Sequence, residues 1–303
     1  MHMHPFTPMS PILTEQLPSG GEWIYQLKWD GFRILAWVDN GKVELYSKKM
    51  LPKNRNYPDL VEVLSKLPGT FLIDGEAVIL DGHTGQPSFQ LMQQRDKLTD
   101  ASLIRRSVAR HPVQYILFDL LRIGDEDLRK LTYTERRRQL ELLADGWKPP
   151  LHLAEQFEDG DGLWSWVTQH GWEGIVAKRC SSRYKEGKEH KDWFKRKTIL
   201  HFDVAIVGII WKEGRISSLV MQKQGRYFGR VSSGLNERVK LRLRELPAGA
   251  GVEAYFPVLP EGLRNAEIHW LDEPLEGRVT GREITELGLL RHPKVIDLGG
   301  IPL

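Results

Sequence analysis

Six residues that would make a poor core stand between two runs that make good strands. Trp23, Ile24, Tyr25 and Leu27 lead into Lys28-Trp29-Asp30-Gly31-Phe32-Arg33, and Ile34, Leu35, Ala36, Trp37 and Val38 lead out of it. Burying unpartnered ions is costly. A chain with this pattern therefore ends one strand near Lys28 and begins another near Phe32, with the charges left at the strand ends. Asp39-Asn40-Gly41 then separates residues 32–38 from 42–47. Asn-Gly is a strong hairpin signal because both positions tolerate positive φ. The region predicts antiparallel sheet with Lys28 at a strand edge or loop. A lysine held partly dry beside other cations loses its proton more readily and becomes a nucleophile; a surface salt bridge to Asp30 is the plainer use of the same residue.

The arrangement recurs along the chain. Asp74-Gly75-Glu76 interrupts the apolar run from Phe71 to Leu80, and Glu173 and Lys178 bracket Gly174-Ile175-Val176-Ala177. Residues 115–121 read as a short buried strand carrying Phe118. In Trp193-Phe194-Lys195-Arg196-Lys197 an extended backbone puts Lys195 and Lys197 on one face. Helices are expected over 58–67 and, more polar, over 88–108. Thr132 and Glu135 form a capping box ahead of Leu140, Leu142 and Leu143, Gly146 stops that helix, and Pro149-Pro150 marks a break. Residues 1–22, rich in Pro and Gly, form an extended lead-in, where His2 and His4 carry no more than a terminal tail would.

A boundary falls near 198–203, dividing the chain into domains of residues 1–200 and 201–303. Beyond it the pattern changes to close-spaced strands. Residues 204–211 and 216–222 flank a turn at Lys212 to Arg215, Gln224-Gly225 makes a second turn into 226–231, a helix at 236–246 follows with Asn236 as cap, and a strand is expected at 252–259. Short strands with a single helix predict a small barrel.

Composition adds limits. The chain of 303 residues has 41% hydrophobic and 27% charged residues, globular values that exclude a disordered polyelectrolyte. It has no apolar run long enough to span a bilayer, and its one cysteine, Cys180, agrees with a reducing, cytoplasmic setting. Charge is uneven: residues 178–197 hold nine basic and three acidic side chains, a net of +6 against +3 for the whole chain. Such a segment suits a phosphate-facing surface, or simply a solvated loop.

Lys28-Trp29-Asp30-Gly31-Phe32-Arg33 resembles the first signature of the covalent nucleotidyltransferases, which include ATP-dependent DNA ligases, RNA ligases and capping enzymes. Four further signatures follow in the family's order: Asp74-Gly75-Glu76, Tyr115 to Asp119, Glu173 to Lys178, and Lys195-Arg196-Lys197. The resemblance implies an α+β fold, with a nucleotidyltransferase domain of antiparallel sheets and flanking helices followed by a C-terminal OB-fold β-barrel. It implies that Lys28 takes AMP from ATP, with Mg²⁺ or Mn²⁺ as metal, and that Lys195, Lys197 and the metal make its amine easier to deprotonate. Asp30 would orient Lys28 or hold water near the metal. Glu173 would bind metal, and Glu76 the ribose and metal. Arg33 would lie at the ribose, Phe118 against the adenine face, and Gln26 at adenine N6 through its oxygen. Leu27 and Lys178 complete the nucleotide site, and Lys195 and Lys197 contact the α-phosphate and leaving group. Lys48, Arg183 and Lys185 are the candidate DNA contacts.

Three departures from the family pattern stand out. Ser47-Lys48-Lys49-Met50 stands where DNA ligases carry Ser-Arg, so Lys48 offers charge without a bidentate fork. Gln26 stands where many relatives have Glu. The Arg-x-Asp-Lys ending is replaced by Leu290-Arg291-His292-Pro293-Lys294, which resembles the ending of bacterial ligase D-type modules and makes Arg291 and Lys294 candidates for orienting pyrophosphate. The expected activity is ATP-dependent sealing of 5′-phosphate/3′-OH breaks in duplex DNA, in repair by end joining. The expected protein is a monomer of the bacterial cytoplasm and nucleoid, with a Ku-like end-binding protein as a further partner. An RNA ligase or capping nucleotidyltransferase shares the core and is the alternative enzyme. A non-catalytic OB-containing binder is the alternative from another class, with no need of Lys28, Glu76, Glu173 and Lys195 together.

Overall fold

The structure, a computed structural model, describes residues 6–187, 190–281, 283–285 and 287–302, which leaves His2, His4, Lys188 and Glu189 outside the described residues. The chain divides into two compact units, Met1–Thr198 and Ile199–Leu303.

The first unit contains β1 (Ile12–Leu13), β2 (Trp23–Leu27), β3 (Phe32–Asp39), β4 (Lys42–Ser47), α1 (Pro58–Leu64), β5 (Thr70–Val78), α2 (Phe89–Lys97), α3 (Ala101–Arg110), β6 (Gln114–Ile123), β7 (Glu126–Asp127), α4 (Tyr133–Leu143), β8 (Leu151–Leu153), α5 (Gly160–Gln169), β9 (Gly174–Arg179) and β10 (Trp193–Lys197). Two sheets result. One has the order β4-β3-β5-β6-β7, with β8 beside β6; the other runs β1-β10-β9-β2. Most pairings are antiparallel, while β1 with β10 and β6 with β8 are parallel.

Strand β3 explains why the sheets stack. Its odd and even side chains both find apolar partners. Ile34, Ala36 and Val38 join Leu60 of α1, Met92 of α2 and Leu140 of α4, while Leu35 and Trp37 join Met9, Tyr184 and Trp193 of the other layer. A strand buried on both faces reads as a continuous apolar run, as this one does. On the far side of the second sheet, Leu163 and Val167 of α5 cover Trp23, Tyr25, Ile175 and Ala177. The layers are helices, sheet, sheet, helix.

Local signals held where the chain could satisfy them locally. Asn40 and Gly41 take φ of 46° and 88° between β3 and β4. Thr132 and Glu135 form the reciprocal capping box of α4. The single helix expected over 88–108 is instead two helices. Leu98 is extended, and Asp100 accepts from the backbone N–H groups of Ser102 and Leu103 to start α3. Asp is a better N-cap than an interior helix residue, so the chain breaks there. Helix α5 was not among the expected elements; Asp159 caps its start by accepting from the Gly162 N–H, and Leu163 and Val167 are buried one turn apart.

The second unit contains β11 (Leu200–Lys212), β12 (Arg215–Lys223), β13 (Arg226–Val231), α6 (Glu237–Arg244), β14 (Glu267–Gly281), β15 (Glu283–Ile284), β16 (Leu290–Arg291) and β17 (Lys294–Leu298). Both expected hairpin turns are present, with Glu213-Gly214 and Gln224-Gly225 at positive φ, and Asn236 caps α6. The strand expected at 252–259 is absent. Val252–Ala254 is a 3₁₀ turn, and Phe256 packs against Val207, Ile210 and Val220. Pro257 and Pro260 remove the N–H groups a ladder would need there. The missing strand length is supplied by β14, which pairs with β11 over most of its length. The five strands form an open path, β13-β12-β11-β14-β17, and no closed barrel is found among the described residues; a single bridge, Ser233 to Lys294, links the segment after β13 to β17.

Candidate active site

Register alone brings three of the charged groups together. Strand β9 lies between β2 and β10, with Leu27 opposite Ile175 and Lys197 opposite Gly174. Lys28 follows β2 and donates its backbone N–H to the Gly174 carbonyl at 2.9 Å. Glu173 immediately precedes β9. Lysines at the ends of both neighbouring strands therefore converge on one carboxylate: Lys28 Nζ donates to Glu173 Oε2, and Lys197 Nζ to Glu173 Oε1 at 2.6 Å. Gly174 is required by this approach. Its φ is 148°, and a Cβ there would stand 2.1 Å from the Arg196 carbonyl. The alternation expected in β10 is present: Lys195 and Lys197 share the site face, while Phe194 packs on Trp23 and Arg196 lies 3.8 Å over the Trp164 ring.

Beside these groups is a cavity of about 560 Å³, lined by Gln26, Leu27, Lys28, Arg33, Lys48, Glu76, Phe118, Val176, Lys178 and Lys195 among others. A cavity of this size suits a nucleotide-sized ligand. Gly31 allows the chain to turn into it, since a Cβ would meet the Ala77 carbonyl at 2.2 Å. Gln26 is 3% exposed and its Nε2 is buried without a hydrogen-bond partner. A buried donor left unpaired costs free energy unless a ligand takes it up; the sequence expectation used the Gln26 oxygen, whereas here it is the amide Nε2 that stands without a partner.

Burial sets the electrostatics of the cavity. Burial pushes the Glu76 carboxyl up to about 8, outweighing the attraction of Lys28 and Arg33, with Glu173 and Asp74 adding to the rise. Lys178 is brought down to about 7, chiefly by burial, against the pull of Asp119 and Asp74. Its ammonium donates to the Phe118 carbonyl at 3.2 Å and lies 4.4–4.8 Å from the ring centres of Trp193, Phe118 and Tyr133. Rings supply attraction to a cation without the tight pairing of a carboxylate. Lys195 is also lowered, by burial first and then by Lys28, Lys197 and Lys48.

Arg33 is more committed than expected. It grips Asp74 through Nε at 2.8 Å and Nη2 at 2.5 Å, donates to the Met9 carbonyl at 2.6 Å, and lies 5.4 Å from the Phe118 ring centre. Tyr184 donates to the same Asp74 at 2.7 Å. Behind Phe118, Asp119 and Arg136 form a fully buried pair at 2.7 and 2.9 Å. Asp74 was expected only as part of the Asp74-Gly75-Glu76 signature. Tyr184 and Arg136 had no role in the sequence expectations, and neither did Lys53 and Asp96, which line the cavity wall and pair at 2.7 and 2.8 Å. The partners of each pair are 17 to 110 residues apart, so periodicity carries no trace of them.

Other sequence candidates lie elsewhere. Asp30 is partly buried beside Lys28 in the chain. Arg183 is exposed on the loop after β9, and Lys185 on the same loop is paired with Asp192 at 2.7 Å. Arg291 and Lys294 belong to the second unit, on β16 and β17.

The profile of the ATP dependent DNA ligase domain matches residues 4–197. The Multifunctional non-homologous end joining DNA repair protein LigD of Mycobacterium tuberculosis is 32% identical over 304 residues, a match covering 95% of this chain and 38% of that protein. The Bifunctional non-homologous end joining protein LigD of Bacillus subtilis is 29% identical, covering 95% of this chain and 52% of that one. The chain thus spans between about two fifths and one half of these relatives' length. A solved structure of mycobacterial DNA ligase D complexed with ATP and MES is similar at a TM-score of 0.55 and 32% identity, over 97% of this chain and 94% of that chain. With its lysine at the mouth of a nucleotide-sized cavity and a matched profile over most of its length, this chain belongs to the ATP-dependent DNA ligase domain family.

Proposed function

We propose that the chain takes AMP from ATP onto Lys28 Nζ and uses it to seal 5′-phosphate/3′-OH breaks in duplex DNA during end joining. The observation that carries this is the position of Lys28, held by register beside Glu173 and Lys197 and opening onto the cavity with the unpaired Gln26 amide. In the first step the neutral amine attacks the α-phosphorus. A P–N bond forms, the α–β phosphoanhydride breaks, pyrophosphate leaves and Nζ gives up a proton. In the second, a DNA 5′-phosphate oxygen takes the AMP and frees Lys28. In the third, the 3′-OH attacks that 5′-phosphate and AMP leaves.

In this reading Gln26 faces the base edge, Phe118 and Val176 its faces, and Arg33 and Glu76 the ribose. Lys178, Lys195 and Lys197 face the phosphates, where positioned cations stabilise developing charge. Among the described residues no group of three His, Cys, Asp or Glu side chains gathers to hold a metal. A site of one or two carboxylates still fits Mg²⁺, which keeps waters and phosphates as its other ligands. Glu173, with Glu76, would hold Mg²⁺ or Mn²⁺, and the ion supplies charge neutralisation for the phosphates. Asp30 orients Lys28. Lys48, Arg183 and Lys185 contact DNA phosphates, and Arg291 with Lys294 orients pyrophosphate. Residues 1–200 serve as the adenylation domain. The open, bulged sheet with α6 is the basis for assigning residues 201–303 to an OB-type domain. A monomer acting in the bacterial cytoplasm, recruited by a Ku-like protein, completes the proposal; among the described residues no helix is long and apolar enough to cross a membrane.

The test is incubation with α-labelled ATP or GTP and a divalent cation, followed by sealing assays on nicked DNA and RNA. Label from ATP and sealing of DNA are expected. Label from GTP alone would move the chain to the capping class, and no label from either would end the enzyme proposal.

Lys178 makes the binding of ATP pH-dependent. Its free-state value of about 7 rises when phosphate is bound, because a nearby anion favours the charged form. Binding then takes up a proton above pH 7. Affinity should be level below about pH 7 and weaken by up to about tenfold per unit above it. Lys178→Met should bind more weakly and lose the slope that begins near 7. Calorimetric titration of ATP across this range checks it; an unchanged slope in the variant would sink the assignment.

A further inference from the structure

Several cations of the 178–197 segment are already engaged: Arg179 with Glu22, Lys185 with Asp192, Lys197 with Glu173, and Lys178 in its aromatic box. Unspent charge lies on α3. Arg105, Arg106 and Arg110 are all exposed, and among the described residues none has a hydrogen bond or ion pair. Residues 101–111 contain no acidic side chain. Asp100 feels Arg106, but its carboxylate is committed to the cap, accepting from Ser102 N and Oγ at 2.8 and 2.6 Å and from Leu103 N at 2.9 Å. Arg106 and Arg110 are four residues apart, a like-charge spacing that destabilises an isolated helix. The fold gains nothing from it.

The helix is nevertheless held rigidly. Fully buried Arg95 of α2 donates to Ser107 Oγ at 2.8 Å and to the His111 carbonyl at 2.9 Å, so it clamps the inner face of α3. Ile104 is buried beneath. The next residue of α2, Asp96, lines the nucleotide cavity. The cationic face is thus a fixed platform tied through one helix to the cavity wall. Arg105 to Arg110 covers about 7.5 Å of helix axis, the rise over which one DNA strand presents about two phosphates. An acidic protein partner would want an apolar centre to its interface, and α3 offers only Leu103, 43% exposed.

We infer that α3 is a phosphate-binding platform that holds the backbone of duplex DNA beside the break through Arg105, Arg106 and Arg110. This rests on the proposed ligation activity. The test measures binding of the full chain to a nicked 5′-phosphorylated duplex between about 50 and 200 mM salt, the range in which phosphate contacts dominate. The variants are Arg105→Ala/Arg106→Ala/Arg110→Ala and the corresponding triple Lys variant, and label uptake from ATP is recorded for each as a check on folding. The triple Ala variant should bind at least about tenfold more weakly, and its plot of log affinity against log salt should flatten by about 2–3, near 0.9 per contact. The triple Lys variant should restore most of the slope, since phosphates are met by charge. Wild-type affinity and slope in the triple Ala variant would overturn the inference and leave the ligation reading standing. Weaker binding with an unchanged slope would also overturn it. Wild-type protein that takes no label or fails to bind the duplex would remove the reading on which it rests.

Discussion

Lys28→Ala should abolish covalent label from α-labelled ATP, a loss of at least about a thousandfold in a reaction whose nucleophile has been deleted. The fold should survive. Lys28 lies just beyond the end of β2, its side chain is partly exposed, and Glu173 keeps Lys197 as partner when Lys28 is gone. The chemistry also predicts what the variant retains. The final step joins a 3′-OH to a 5′-phosphate already carrying AMP, and no bond to Lys28 forms or breaks in it. Lys28→Ala should therefore seal a pre-adenylylated nick while failing on a simple one. Gel analysis of both substrates separates the outcomes. Label on the Ala variant would show that another amine, such as Lys195, is the nucleophile.

Arg136→Leu should destabilise the first unit by about 3–5 kcal/mol, the usual cost of leaving a buried charge without its partner. Both partners are fully buried. Arg136 also donates to the carbonyls of Leu131 at 2.8 Å and Ser182 at 3.0 Å, tying α4 to the loop after β9. Removing Arg136 leaves Asp119 with its own-chain contact to the Leu120 N–H at 3.0 Å. Asp119→Leu with Arg136→Leu should recover much of the loss, because an apolar pair of similar volume removes both desolvation costs. Urea unfolding of the three proteins decides it, and a single variant within about 1 kcal/mol of wild type would contradict it. A second consequence reaches the cavity. Asp119 raises the Lys178 pKa and Arg136 opposes it, so Arg136→Leu should move the pH step of ATP binding upward from 7.

The parts of the fold legible in the sequence are those where one short segment holds both halves of an interaction. Asn40-Gly41, the Thr132–Glu135 box and the Asn236 cap are all closed within four residues. The parts that were not legible depend on distant chain. Residues 252–259 have the apolar content of a strand, but the long β14 takes the ladder position beside β11. The helix over 88–108 breaks because Asp100 finds backbone donors at Ser102 and Leu103 that reward a new start. Helix α5 has a local cap at Asp159 but lacks a strong run of helix formers, and its Leu163 and Val167 are held by what they cover, Trp23 and Tyr25 of β2 and Ile175 of β9.

The candidate site divides in the same way. Sequence by itself determined which residues are candidates for the chemistry. Lys28, Glu76, Glu173, Lys178 and Lys195 are recognisable because charges at the ends of apolar runs are too costly to keep without a use. Tertiary structure decided what each charge meets. Lys28 and Lys197 meet on Glu173 because β9 lies between their strands. Lys178 sits among three rings rather than in solvent. Arg33 is held by Asp74. In the basic run of 178–197, Arg179, Lys185 and Lys197 are paired with carboxylates, whereas the three arginines of α3 are not. The physical reason is one of range. Backbone signals act over a few residues, but the energy of a charge depends on burial and on neighbours that only the packed chain brings within reach.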